Sequence, residues 1–270
     1  SAIRTLSSAR CPTPRLDAEV LLAHVLQTNR AWLHAHRNDP LAPDAARAYS
    51  RLIQRRARHE PVAYITGERE FFGLSFEVTP AALIPRPETE LLVELALERL
   101  PPGAVAVDVG TGSGCIAVSL AVHAPAARLI ATDISAAALA LARQNARRHG
   151  VARRITFVQT NLLAGVILPA DVIVSNPPYI SAADMQTLPP GVKQYEPSLA
   201  LHGGDTGLRL IKELLRRALP ALKTGGWLLV EIGAAQRQPA LALAKALCPQ
   251  AEFWVKKDLA GRDRVLLGRV

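Results

Sequence analysis

Cysteine and long apolar runs are both scarce in this sequence of 270 residues. The three cysteines, Cys11, Cys115 and Cys248, are spaced neither as a disulfide framework nor as zinc ligands, which is typical of a reducing compartment. No apolar run approaches the ~20 residues of a membrane helix, and the first residues lack the apolar segment of a signal peptide. We therefore expect no metal site, no membrane span and a location in the cytoplasm.

Acidic side chains are outnumbered by basic ones, and the formal net charge is +9 at pH 7. Hydrophobic residues make up 49% of the chain, which predicts a globular protein. The positive charge suits an acidic partner and does not distinguish a nucleic acid from an acidic protein surface. Many arginines lie in segments rich in alanine and leucine, where a solvated helix face also explains them.

Periodicity and turn residues divide the chain into three parts. We predict a small helical bundle over residues 1–60, a hairpin linker over 61–85 and an α/β domain over 86–270. In the bundle, Pro14 suits the first turn of an amphipathic helix. The apolar stripe of that helix is predicted to run through Leu16, Val20, Ala23 and Gln27.

A glycine-rich loop follows the first strand predicted in the α/β domain. Its glycines, Gly110, Gly112 and Gly114, let the backbone turn tightly and approach a ligand, and the next helix offers free N–H groups. A second strand ends at Asp133, whose carboxylate can accept both hydroxyls of a ribose. We therefore predict a nucleoside-binding βαβ unit. The spacing from Gly112 to Ala117 also satisfies the dinucleotide fingerprint, so a nicotinamide cofactor remains an alternative at this point.

A rigid polar corner follows a strand predicted at residues 172–175. The prolines at positions 177 and 178 fix their own φ and have no N–H, so the chain leaves the sheet in one stiff path at an edge where α/β sheets bind ligands. An NH2 group lying on the ring of Tyr179 would donate its hydrogens to the Asn176 side chain and the Pro177 carbonyl. These acceptors would localise the lone pair of a poor nucleophile, so we predict N-methyl transfer. An isolated Asn-Pro pair would instead indicate an ordinary turn.

The last two predicted strands, at residues 252–255 and 264–270, are too close in sequence for a crossover helix. They must therefore pair antiparallel. We predict an α/β fold with a seven-stranded Rossmann-like sheet whose last strand is antiparallel, preceded by the helical bundle and the hairpin. This ending is typical of S-adenosylmethionine (SAM) methyltransferases and atypical of dinucleotide-binding folds.

The spacing of Asp108, Gly110, Gly112 and Gly114 resembles the first motif of SAM methyltransferases, in which the loop cradles the methionine part of the cofactor. Nearly the whole chain also resembles the bacterial peptide chain release factor N5-glutamine methyltransferases, which are SAM-dependent class I methyltransferases. The segments that carry this resemblance are residues 14–19, 61–67, 84–90, 108–114, 176–180, 196–197, 203–204 and 257–263. The resemblance includes the N-terminal bundle, which other amino-methyltransferases lack.

This resemblance implies methyl transfer from SAM to the side-chain amide nitrogen (N5) of the glutamine in the Gly-Gly-Gln motif of class 1 release factors, without a metal or a covalent intermediate. The implied catalytic residues are Asn176, Pro177 and Tyr179, and the implied substrate-binding residues are Asn176, Pro177, Pro178 and Tyr179. The implied cofactor-binding residues are Asp108, Gly110, Thr111, Gly112, Ser113, Gly114, Asp133, Asn161, Leu162 and Asn176. We expect a monomer whose partner is the release factor, with no direct nucleic-acid or membrane partner.

Two other functions share parts of this pattern. A nucleic-acid amino-methyltransferase of the adenine N6 type would use the same corner, with Tyr179 stacking on a flipped base. The chain lacks a target-recognition domain and a basic cluster interleaved with aromatic residues, so this alternative is less favoured. A non-catalytic SAM-binding module is disfavoured because Asn176 and Tyr179 are intact.

Overall fold

The computed structural model describes residues 1–166 and 169–270. These residues divide into a small unit, residues 1–68 with 189–195, and a large unit, residues 69–188 with 196–270. The helices in chain order are α1 Ala2–Ser8, α2 Pro14–Val25, α3 Arg30–Ala35, α4 Pro43–Ala57, α5 Val62–Thr66, α6 Glu90–Leu97, α7 Cys115–His123, α8 Ala136–Arg148, α9 Asp184–Thr187, α10 Pro190–Tyr195, α11 Arg209–Ala218 and α12 Arg237–Leu247.

The small unit is helical, with a core in which Leu6, Leu21 and Ile53 are buried. Helix α2 begins at Pro14, whose fixed φ suits a first helical turn. The stripe predicted for α2 is partly wrong, because Ala23 is buried whereas Leu16 is 42% exposed.

The reason is a long-range ion pair on the buried face of α2. Asp17 is buried there, its Oδ2 accepts a hydrogen bond from Arg56 Nε at 2.7 Å, and its Oδ1 accepts one from Thr13 Oγ1 at 2.7 Å. Pairing the carboxylate in this way makes its burial tolerable and rotates Leu16 outward. A helical periodicity count treats Asp17 as a surface residue and therefore assigns the wrong stripe.

The large unit contains a seven-stranded sheet in the order β5-β4-β3-β6-β7-β9-β8. Its strands are β3 Val105–Val109, β4 Arg128–Asp133, β5 Ile155–Gln159, β6 Ala170–Ser175, β7 Leu222–Glu231, β8 Glu252–Lys257 and β9 Asp263–Arg269. Strand β9 is antiparallel to both of its neighbours, whereas β3 to β7 pair in parallel. The predicted fold class is confirmed, including the antiparallel last strand.

Side chains of the central strands alternate between two apolar layers. Ala106 and Val172 face a cluster that includes α6 and α7, whereas Val107 and Ile173 face a cluster that includes α11 and α12. Helices thus cover both faces of the sheet, which explains why these strands are apolar on both faces.

A separate two-stranded sheet precedes the seven-stranded sheet in the chain and is formed by β1 Glu68–Phe71 and β2 Leu74–Glu77. It corresponds to the phenylalanine-rich segment predicted as a hairpin. Phe71 and Phe76 are buried in the same cluster as α6 and α7, with their rings 6.1 Å apart in an edge arrangement. The phenylalanines therefore belong to the core of the large unit.

The three cysteines are buried and free, each within an apolar cluster, as expected for small hydrophobic side chains. Among the helices of residues 1–166 and 169–270, none has both the length and the apolar character required to cross a bilayer.

Register brings the ends of three neighbouring strands to one edge of the sheet. Val109 at the end of β3 pairs with Thr132 of β4 on one side and with Ser175 of β6 on the other. The loop after β3, Asp133 and Asn176 therefore lie side by side at the carboxyl edge, where open α/β sheets bind ligands.

Candidate active site

A cavity opens at this carboxyl edge within the large unit. The predicted site residues that line it are Gly110, Thr111, Gly112, Ser113, Asp133, Asn161, Leu162, Asn176 and Pro178. Gly114, Pro177 and Tyr179 are next to lining residues in the chain, and Asp108 is two residues before the lining residue Gly110; these four are not among the lining residues. The structure thus places the glycine loop, the acid at the end of β4 and the Asn-Pro-Pro-Tyr corner around one space.

The glycine loop is held open by positive φ angles and by a close helix contact. Gly110, Gly112 and Gly114 have φ of 74°, 56° and 82°. A Cβ on Gly114 would lie only 3.0 Å from Ala142 Cβ of α8, so this position requires glycine for both reasons. The Ser113 carbonyl accepts a hydrogen bond from Asn145 Nδ2 at 2.9 Å, which fixes the loop to the same helix.

Asp108 is a buried residue of β3 that holds the glycine loop through hydrogen bonds. Its Oδ2 accepts hydrogen bonds from Thr111 Oγ1 at 2.6 Å and from the Ala117 N–H at 3.1 Å. Its Oδ1 is buried and has no hydrogen-bond partner among the described residues. Burial raises the pKa of Asp108 to about 7, because desolvation of the charged form outweighs these two hydrogen bonds.

Asp133 lies at the end of β4, half-buried in the cavity wall. One carboxylate oxygen accepts the Gly112 N–H at 2.9 Å and the other accepts the Ser135 N–H at 2.9 Å. A carboxylate has about four acceptor sites, so each oxygen retains capacity for a ligand hydroxyl. Asn161 and Leu162 lie just beyond β5, and Leu162 has the uncommon positive φ of 57°.

The Asn176 side chain is oriented by a hydrogen bond to Thr89. Its Nδ2 donates to Thr89 Oγ1 at 3.1 Å, and both residues line the cavity. Because the NH2 end is used in this way, the carbonyl oxygen Oδ1 is the end of the amide that remains for a ligand. Thr89 in turn donates its hydroxyl hydrogen to Glu231 Oε2 at 2.7 Å.

Tyr179 is tied down at both its side chain and its backbone. The phenol donates to Glu231 Oε1 at 3.1 Å, and the main-chain carbonyl accepts from Gln236 Nε2 at 3.0 Å. Burial raises the pKa of the Tyr179 phenol, and the Glu231 charge adds to this effect. Pro177 is buried between these anchored residues. The corner is therefore stiffened by its partners as well as by its prolines.

A second segment closes on the corner through glycines. The Ile180 N–H donates to the Leu201 carbonyl at 3.0 Å, and the Gly203 N–H donates to the Ile180 carbonyl at 2.8 Å. A Cβ on Gly203 would lie 2.6 Å from the Pro178 carbonyl oxygen, and one on Gly207 would lie 2.2 Å from the Tyr179 carbonyl oxygen. Only glycine permits this approach of two backbones.

The loop before α6 is fixed by a buried acid. Glu196 Oε1 pairs with Arg86 Nη2, while Oε2 accepts the Ile84 N–H at 3.3 Å. The Glu196 side chain is 1% exposed, whereas Arg86 and Ile84 line the cavity. The arginine bracketed by prolines thus forms part of the cavity wall.

Sequence reasoning assigned no site role to the residues that orient the motif residues, namely Thr89, Glu196, Glu231, Gln236 and Gly207, although Thr89 and Glu196 lie in segments that carry the resemblance. Their signals are weak in isolation: a threonine at a helix start, an acid after Tyr195 and an acid at the end of an apolar strand. Their positions are the signal that could have identified them. Polar residues at the ends of strands and helices lie at the carboxyl edge of the predicted sheet, and such positions converge on the ligand site.

Comparison with known proteins agrees with this geometry. Residues 1–67 match the PrmC N-terminal domain model and residues 87–188 match the methyltransferase small domain model. The release factor glutamine methyltransferase of Moorella thermoacetica is 46% identical over 98% of this chain and 95% of the relative, and that of Cereibacter sphaeroides is 44% identical over 100% of this chain and 96% of the relative. This chain belongs to the release factor glutamine methyltransferase family.

Solved structures agree at the level of the fold. A ribosomal protein L11 methylase from Lactobacillus delbrueckii subsp. bulgaricus is 26% identical, with a TM-score of 0.50 over 70% of this chain and 81% of that chain. A methyltransferase from Pyrococcus furiosus is 21% identical, with a TM-score of 0.55 over 80% and 97%. The predicted resemblance is confirmed, and the chain is a methyltransferase. Family membership favours methylation of a release factor glutamine over the nicotinamide and adenine N6 alternatives.

Proposed function

We propose that this chain transfers a methyl group from SAM to the N5 nitrogen of the glutamine in the Gly-Gly-Gln motif of class 1 release factors. The observation that carries the proposal is the fixed Asn176 amide, whose Nδ2 is held by Thr89 while its Oδ1 remains for a ligand in the cavity of the glycine loop. The family relatives, named release factor glutamine methyltransferases, support the choice of substrate.

The residues of the cavity fit SAM. The glycine loop supplies backbone at close approach, Asp133 retains acceptor capacity for ribose hydroxyls, and Ile134 and Leu162 offer apolar surface beside it. Asp108 would contribute by anchoring the loop through Thr111. When bound, SAM supplies an electrophilic methyl group on a sulfonium sulfur.

The corner would prepare the glutamine amide for attack. Asn176 Oδ1 would accept one hydrogen of the substrate NH2 group, the main-chain carbonyl of Pro177 would accept the other, and the ring of Tyr179 would support the flat amide. Two acceptors localise the lone pair on the nitrogen, and the stiff corner would hold that nitrogen in line with the methyl group. The barrier therefore falls through positioning and electrostatics. The nitrogen would accept the methyl group that SAM supplies, and the hydrogen that it loses would pass from the corner to solvent, which leaves a neutral secondary amide.

The proposal also includes the location, the oligomeric state and the domain roles of the chain. A protein substrate of the translation machinery places the enzyme in the cytoplasm, and the chain acts as a monomer without direct binding of nucleic acid. The predicted bundle, residues 1–60, would serve with the linker, residues 61–85, as an accessory to the catalytic domain, residues 86–270.

Methylation of a purified release factor with SAM labelled in its methyl group tests the proposal. We expect one added methyl on the tryptic peptide that carries Gly-Gly-Gln, and no label in a Gly-Gly-Ala variant of the release factor. Asn176→Ala should lower the rate by ~10²-fold or more, since it removes an acceptor that positions the nucleophile. Normal labelling of the Gly-Gly-Ala variant, or labelling of RNA or DNA in place of protein, would overturn the proposal.

A further inference from the structure

Glu231 is connected to both functional side chains of the corner. It accepts a hydrogen bond from Tyr179 directly and is linked to Asn176 through Thr89. It ends β7, and Val230 before it pairs with Ser175 of β6, so Glu231 and Asn176 lie at the carboxyl ends of adjacent parallel strands. The Glu231 residue is 1% exposed, and it is not among the residues that line the cavity. Its carboxylate therefore acts through other side chains rather than on a ligand.

Each oxygen of this carboxylate accepts one hydroxyl hydrogen. Oε2 accepts from Thr89 Oγ1 at 2.7 Å and Oε1 accepts from the Tyr179 phenol at 3.1 Å. An ionised carboxylate is an acceptor only, so it obliges both hydroxyls to donate. Burial raises the pKa of Glu231 and the nearby charge of Glu88 adds to this rise, while hydrogen bonds from Thr89 and Tyr179 and the positive charge of Arg264 offset only part of it.

These hydrogen bonds decide which end of the Asn176 amide faces the cavity. A threonine hydroxyl has a single hydrogen, and Thr89 gives it to Glu231, so toward Asn176 the hydroxyl oxygen is only an acceptor. Asn176 must therefore turn its NH2 end toward Thr89. Without the carboxylate, the hydroxyl would be free to donate to the amide oxygen, and the rotated amide would present NH2 to the cavity, where it would repel the NH2 group of a substrate.

Stability does not account for burying this acid. Moving a carboxylate out of water costs several kcal/mol, and a salt bridge that offsets this cost is weak evidence of net stabilisation. Arg264 donates its hydrogen bonds to Asp258, at 3.2 Å from Nε and 3.2 Å from Nη2, rather than forming a direct pair with Glu231. The carboxylate is therefore held mainly by the two hydroxyls that it orients.

We propose that Glu231 is a positioning residue, which fixes the Asn176 amide through Thr89 and the Tyr179 ring directly so that the cavity presents acceptors to the substrate NH2 group. This inference rests on the proposed function, because the benefit of a fixed acceptor depends on an amide nucleophile. The chemical class that such a site selects is a neutral primary amide or amine with two hydrogens to donate.

Kinetics of isosteric variants test the inference. Glu231→Gln keeps the shape of the side chain, but its amide has one acceptor oxygen for two hydroxyls, and Thr89→Val removes the relay hydroxyl. We expect each to lower kcat for release factor methylation by ~10-fold or more while the Kd for SAM, measured by calorimetry, changes by less than ~2-fold. Thr89→Ser should recover most of the kcat that Thr89→Val loses, and the exposed Glu252→Gln serves as the matched control with unchanged kcat.

A spectroscopic readout separates this inference from the proposed function. The side-chain NH2 signals of Asn176, assigned by their loss in Asn176→Asp, should shift and exchange faster with solvent in Thr89→Val and Glu231→Gln, and should be unchanged in Glu252→Gln. If the wild-type chain does not methylate a release factor, the proposed function fails and these signals still decide the positioning. Unchanged signals, or a full kcat in both network variants, would overturn the positioning itself. Should Glu231→Gln fail to fold, Thr89→Val alone decides.

Discussion

Replacing Asp108 with asparagine is expected to change how the stability of the large unit depends on pH. The carboxyl is fully buried, and desolvation raises its pKa from 3.8 to about 7. The folded protein therefore keeps a proton that the unfolded chain releases at lower pH. The stabilisation from this proton is complete below the unfolded pKa and is lost as the pH rises through about 7.

The size of the effect follows from the shift. One pKa unit corresponds to about 1.4 kcal/mol, so this carboxyl lowers the free energy of unfolding by roughly 3 kcal/mol between about pH 5 and pH 8.5. The asparagine in Asp108→Asn does not titrate, and its carbonyl oxygen can keep the bonds from Thr111 and Ala117. Its NH2 would replace Oδ1, which has no hydrogen-bond partner in the part of the chain that the structure describes, at a cost of about 1–3 kcal/mol that does not vary with pH.

Urea unfolding of both proteins across this pH range measures the effect. In a Trp32→Phe background, tryptophan fluorescence reports Trp227 and Trp254, which are both in the large unit. All other titrating groups are common to the two proteins, so the difference in unfolding free energy, wild type minus Asp108→Asn, isolates this carboxyl. We expect the difference to fall with rising pH. A difference that is constant or that rises with pH would refute the reasoning.

Two further predictions concern the supports of the cavity. Gly207→Ala places a Cβ 2.2 Å from the Tyr179 carbonyl oxygen and should lower kcat by ~10-fold or more, because it displaces the corner. The control is Gly150→Ala, which has a similar φ of 70° and open space around it and should only reduce stability by about 1 kcal/mol. Equal effects of the two substitutions on kcat would contradict this prediction. Glu196→Ala removes the acceptor of the Ile84 N–H, so hydrogen exchange at that amide should accelerate, and an unchanged exchange rate would show that Glu196 does not hold the loop.

Local sequence patterns were sufficient wherever a motif residue follows directly from its own strand. The glycines after β3, Asp133 at the end of β4 and Asn176 after β6 each follow an apolar run, and parallel pairing of these strands brings them to one edge. The antiparallel last strand was likewise predictable, because the connection before it is too short for a crossover. These features depend on contacts whose geometry the sheet imposes, so they required no knowledge of individual side-chain packing.

Long-range pairing of side chains was beyond the sequence. Thr89 and Glu231 are separated by 142 positions, and nothing local to either residue indicates the other. The same limit produced the wrong stripe in α2, where Arg56 makes Asp17 a buried residue from 39 positions away. The predicted limits of the bundle and the linker stay a prediction, while the division into compact units falls between residues 68 and 69.

The large unit places one buried carboxyl behind each of its two motifs, and in both cases the direct contact is a threonine. Asp108 holds the glycine loop through Thr111, and Glu231 holds the corner through Thr89. Neither acid lines the cavity, yet each pays a desolvation cost that an apolar residue of similar size would avoid. The two arrangements differ in one respect. Among the described residues, one Asp108 oxygen has no hydrogen-bond partner, whereas each Glu231 oxygen accepts a hydroxyl hydrogen; burial raises the pKa of both acids. The stability of the glycine loop should therefore respond to pH near neutrality, whereas the orientation of the corner depends on the two hydroxyl hydrogens that Thr89 and Tyr179 donate to Glu231.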